Sequence, residues 1–69
     1  MSSTPAVFMM LFAQCMREQG GLSHEEAWSI INEAVNALGP DEKVGVMIMD
    51  EKIRAIYIRR GHVPYWPQA

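Results

Sequence analysis

The sequence predicts an α+β fold in one domain spanning residues 1–69. An antiparallel helix pair at about 4–38 is followed by a β-hairpin at about 43–60 and an extended aromatic tail at 61–69, and two copies associate as a homodimer. Three observations predict it. Two stretches of helical apolar periodicity end in glycine punctuation, at Gly20-Gly21 and at Gly39-Pro40. The stretch after them is dense in β-branched residues and is split by the polar run Asp50-Glu51-Lys52. Apolar residues make up 49% of a chain of only 69 residues, more than one small core hides. The alternative is an all-α chain of three helices.

The first helix opens at Thr4-Pro5, an N-cap followed by proline at the first helical position, where its missing N–H costs nothing. It runs to about Gln19, and Gly20-Gly21 supplies a left-handed stop. Phe8, Leu11, Phe12 and Cys15 form an apolar stripe at helical spacing. Val7, Met9 and Met10 fall outside it, so the first half of the helix is apolar nearly all round and needs cover on more than one side. Phe8, Leu11 and Phe12 are therefore candidates for self-association.

The second helix has stronger grammar. Ser23 and Glu26 form a capping box, flanked by Leu22 and Ala27 at the staple positions. Glu25 and Glu26 sit in the first turn, where the helix dipole favours anions. Ala27, Ile30, Ile31, Ala34, Val35 and Leu38 make the apolar face, and Ser29, Asn32, Glu33 and Asn36 the polar one. The short linker Gly20-Gly21-Leu22-Ser23 folds the two helices back on each other.

For Lys43 to Arg60 two readings compete. Val44, Val46, Ile48, Ile53, Ile56, Tyr57 and Ile58 are strand formers, giving strands near 43–49 and 53–59 around a turn at Asp50 to Lys52. A third helix would open at Pro40-Asp41-Glu42 and close at Arg59-Arg60-Gly61. The charged residues Lys43, Asp50, Glu51, Lys52, Arg54 and Arg59 are read as scattered around the helical wheel, and the hairpin is preferred. In it Val44, Val46 and Ile48 share one face, and Met47 and Met49 the other. The second face needs cover from the tail or from a twin, and Met47 and Met49 join the self-association set.

The tail carries Pro64, Tyr65, Trp66 and Pro67 in extended geometry. Tyr65 and Trp66, with Tyr57, Arg59 and Arg60 nearby, are candidate partner-binding residues, since such side chains dominate interface energies. The plainer reading has the tail fold back over the exposed sheet face.

Charge is unevenly spread. Residues 1–42 hold one cation, Arg17, against six anions; residues 43–69 hold five cations against two. The asymmetry can steer two copies together or draw a charged partner. The net charge of −2 argues against general nucleic-acid or anionic-membrane binding. The apolar run Ala6 to Ala13 is far shorter than a membrane span, and Arg17 follows it rather than preceding it. A cytoplasmic protein with a free thiol is expected.

Chemistry-bearing patterns are missing. One cysteine forms no disulfide within the chain, and Cys15, His24 and His62 stand at no metal-ligand spacing. His24 and His62 are expected as solvated surface residues. Cys15, in an apolar stripe near a helix C-terminus, is expected as a buried structural thiol. Glu25-Glu26 and Asp50-Glu51 have structural explanations at a helix start and a turn, and no phosphate-cradling glycine loop occurs. No catalytic residue, metal or cofactor is expected.

By elimination the chain is expected to be a non-enzymatic protein-binding module that modulates a partner protein. The runner-up is a small DNA- or RNA-binding transcription regulator using Arg54, Arg59, Arg60 and His62 beside Tyr57, Tyr65 and Trp66. In size and make-up (short, acidic, one domain, no enzyme motif) the whole chain resembles the small early proteins that bacteriophages make to disarm host proteins, among them anti-activators of host transcription regulators. No motif carries the resemblance, so it transfers no residue. It implies a bacterial cytoplasmic setting, a homodimeric or monomeric inhibitor, and a host protein target.

Overall fold

In the computed structural model, which describes residues 4–67, the chain forms α1 (Thr4–Glu18), α2 (His24–Asn36) and α3 (Val46–Arg59). The side-chain cap expected at Thr4, and Gln68 and Ala69 of the tail, lie outside what is described. α1 stops where the glycine pair predicts, with Gly21 at φ 72° and the Leu22 N–H donating to the Met16 carbonyl. α2 is capped as its sequence predicts: Ser23 is extended, and its Oγ accepts from the Glu26 N–H at 3.1 Å. The reciprocal half of the capping box is not made, because the Glu26 carboxylate turns to Arg60 and His62, just after α3.

The expected β-hairpin is overturned. No strand occurs among the described residues, and Lys43 to Arg60 holds a helix instead, so the fold is all-α. Successive helical residues are about 100° apart, and at that step Asp50, Glu51, Lys52, Arg54 and Arg59 leave clear an arc of about 160°. Met49, Ile53, Ile56 and Tyr57 fill that arc at i, i+4, i+7 and i+8, and all four are buried. The charges are thus confined rather than scattered. The true period was masked because the charged side also carries the apolar residues Met47, Ala55 and Ile58, while Val46, inside the arc, is exposed in the first turn. Met47 and Met49, expected on one face, are separated, with 84% of Met47 exposed and none of Met49.

Local devices support the third helix. Ahead of it, the turn at 39–42 is closed by two hydrogen bonds, Glu42 N–H to the Gly39 carbonyl at 3.1 Å and Gly39 N–H to Glu42 Oε1 at 2.7 Å. Lys52 reaches back to the same carboxylate at 3.2 Å, and Asp50 pairs with Arg54 one turn on. Behind it, Gly61 at φ 88° forms a Schellman stop: its N–H meets the Ile58 carbonyl and the His62 N–H meets the Tyr57 carbonyl.

α2 is the central helix, packed on both α1 and α3, while α1 and α3 touch each other much less. The core takes Ala13 and Met16 from α1, Ala27, Ile30, Ile31 and Ala34 from α2, and the four buried residues of α3. The working stripe of α1 is therefore Met9, Phe12, Ala13 and Met16, one residue round from the expected stripe. Leu11 is left 54% exposed.

Candidate protein-docking site

The residues expected to bind a partner are drawn together at one end of the molecule, and they are engaged there with the protein itself. Tyr57 lies in the core. The tail turns back at Gly61 and sets the Tyr65 and Trp66 rings edge-on to Tyr57 at 5.3 Å each, and edge-on to one another at 5.0 Å. The Arg54 guanidinium stacks on Trp66, 4.9 Å from the ring centre. Both tail rings are half-buried against the core cluster. Burial holds the Tyr65 hydroxyl up at a pKa of about 12, with Cys15 and Tyr57 adding to the effect; burial also raises Tyr57.

The cations of this end face the acids of α2. Arg60 donates to Glu26 at 3.1 Å, to Ser29 at 3.0 Å and to Glu33 at 2.6 Å. Arg59 pairs with the other oxygen of Glu33. His62, expected to be a solvated residue, is half-buried with its Nε2 3.0 Å from Glu26 Oε2. The hydrogen bond to His62, and then that to Arg60, hold the Glu26 carboxyl below its ordinary range. The charge asymmetry of the sequence thus has an internal use, since Lys52, Arg59 and Arg60 of the basic half pair with Glu42, Glu33 and Glu26 of the acidic half, while Arg54 pairs with Asp50 within its own half. Among the described residues no three His, Cys, Asp or Glu side chains gather around a metal-sized space.

The residues expected to self-associate scatter. Met49 is fully buried and has no surface to offer a twin. Phe8 and Phe12 pack edge-on to each other at 6.0 Å, half-buried against the core. Leu11 and Met47 are exposed, on different helices.

Open apolar surface lies on Val46, Met47 and Ile58 of α3, on Val63 of the tail, and, gathered into a groove, between α1 and α2. Val7, Met10 and Leu11 are 51%, 61% and 54% exposed. With Ala13 and with Trp28 of α2 they line a groove of about 320 Å³, which Gln14, Arg17 and His24 complete. Trp28 stands one turn after His24, their rings 6.2 Å apart. Sequence reasoning passed over Trp28 because it belongs neither to the buried stripe of α2 nor to its polar face. A tryptophan flanking a buried stripe was the available signal. Arg17, the one cation among residues 1–42, lies in the groove, and Glu18 next to it accepts a hydrogen bond at 3.2 Å from Gln14, another groove residue.

No protein-family model, curated protein or solved structure matches this chain.

Proposed function

We propose that the protein is a non-enzymatic protein-binding module that modulates a partner by covering a surface on it, in the manner of the small phage inhibitors it resembles in size and make-up. The observation that carries this reading is the groove between α1 and α2. It holds the exposed Val7, Met10 and Leu11 in one place beside Trp28, which packs on the edge of the core. Tryptophan beside aliphatic side chains is the composition of an interface anchor. The basic second half supports the nucleic-acid alternative less, because four of its five cations, Lys52, Arg54, Arg59 and Arg60, pair with acids of the same chain.

The test is retention of proteins from the producing cell on the immobilised chain, run in parallel with Leu11→Asp. Leu11 is half exposed, so the variant keeps the helical circular-dichroism spectrum of the parent. A protein retained by the parent and lost from the variant supports the reading. Retention of nothing, or of the same proteins by both, overturns it.

A further inference from the structure

The geometry points to the α1–α2 groove as the seat of a single amphipathic helix of a partner protein, one that carries a carboxylate at the end of its apolar stripe. The inference rests on the protein-binding reading and specifies its partner.

Length and shape come first. Val7, Met10, Leu11, Gln14 and Arg17 follow one another along α1, and ten residues of helix extend about 15 Å. That is the length of three turns of a second helix, whose side chains at i, i+3 or i+4 and i+7 would lie along it. The groove is open on one side and suits a rod laid into it better than an enclosed small molecule.

Area favours a short helix over a second copy. Val7, Met10 and Leu11 are each about half exposed, and together they have on the order of 300 Å² left to bury. A stable dimer needs about 800 Å² from each partner. The groove's exposed apolar side chains supply well under half of that, so a twin would have to draw most of its contact from outside the groove.

Charge decides what that helix carries. The groove's lining holds one charged side chain, Arg17, and no carboxylate. Arg17 stands in the last turn of α1, so the guanidinium lies at the linker end of the lining while the Val7 end is aliphatic. No acid of this chain pairs with Arg17 among the described ion pairs, in contrast to Arg54, Arg59 and Arg60. A partner carboxylate in the turn next to its last apolar anchor would meet the guanidinium at the edge of a desolvated contact.

The probes are two synthetic helical peptides with the same three-turn leucine stripe. One has Glu in both terminal turns and the other has Lys there, so that neither orientation is assumed. The readout is the indole N–H resonance of Trp28 in the full chain, with that of Trp66 as internal reference. The expected result is that the Glu peptide shifts Trp28 and leaves Trp66 in place, that the Lys peptide binds about tenfold more weakly, and that Arg17→Glu reverses the order. Equal binding of both peptides, or an order unaltered in Arg17→Glu, overturns the proposal, as does a Trp28 resonance that moves with neither. Light scattering that shows a dimer dissociated by Leu11→Asp assigns the groove to a second copy and also overturns it. In each of these cases, a cellular protein whose retention still depends on Leu11 leaves the broader protein-binding reading standing.

Discussion

At Gly20 the fold has room for a hydrogen atom and nothing larger. A Cβ there would overlap the Tyr57 hydroxyl and lie 2.7 Å from the Met16 carbonyl and 3.2 Å from the Tyr65 ring. Gly20→Ala must push α1 away from the aromatic cluster, and the expected loss is about 2 kcal/mol, read as a fall of several degrees in the thermal midpoint. An unchanged midpoint would mean that the cluster is looser than described. Tyr65 makes the second prediction at this scale. Its pKa is raised from 10.0 to about 12 because the fold buries the neutral phenol. The unfolded chain then loses that proton first, so this contribution to stability is full below about pH 10 and falls as the pH climbs toward 12. Urea denaturation across that window should show the decline, and Tyr65→Phe should lessen it.

The third helix is the element on which local and tertiary preferences compete. Its β-branched residues favour strands, but the clear arc holding Met49, Ile53, Ile56 and Tyr57 lets one face meet α2 along its length. A hairpin of the same residues would present one face to the helix pair and leave the other, with its edges, in water. The two arrangements make opposite statements about a pair of methionines. In a hairpin Met47 and Met49 share a face and respond alike to truncation. In the helix Met49→Ala should cost about 2–4 kcal/mol, and Met47→Ala less than about 0.5 kcal/mol, by chemical denaturation. Similar losses for the two would count against the helix.

At the scale of the whole molecule, α2 holds the structure together twice, by its apolar face and by the acids opposite Arg59, Arg60 and His62. Arg60→Met should cost about 1 kcal/mol at neutral pH, since its hydrogen bonds to Glu26 and Glu33 are half exposed and partly screened. Glu26 is held below its ordinary value of 4.5, so what that ion pair contributes is present above pH 4.5 and is lost as the pH falls through the lowered value. The deficit of Arg60→Met relative to the parent should therefore shrink in acid, and a deficit independent of pH would remove the ion pair from the account. The sequence alone determined the first two helices, because the glycine stop after α1, the Ser23 cap and the stripe of α2 are local devices that act within a turn or two of chain. It also determined that apolar surface would be left over, since composition and length set that balance. Tertiary structure decided the third helix, because 3.6-residue spacing buries only one arc and the apolar residues outside that arc hid it. Tertiary structure also decided where the leftover surface lies. Ion pairs between residues 27 to 36 positions apart, Glu33 with Arg60 and Glu26 with His62, act with the contacts of Tyr65 and Trp66 on Tyr57, eight and nine positions back, to fold the aromatic tail inward, and the groove beside Trp28 stays open. No local pattern encodes that choice, because the partners meet only once α2 and α3 have packed.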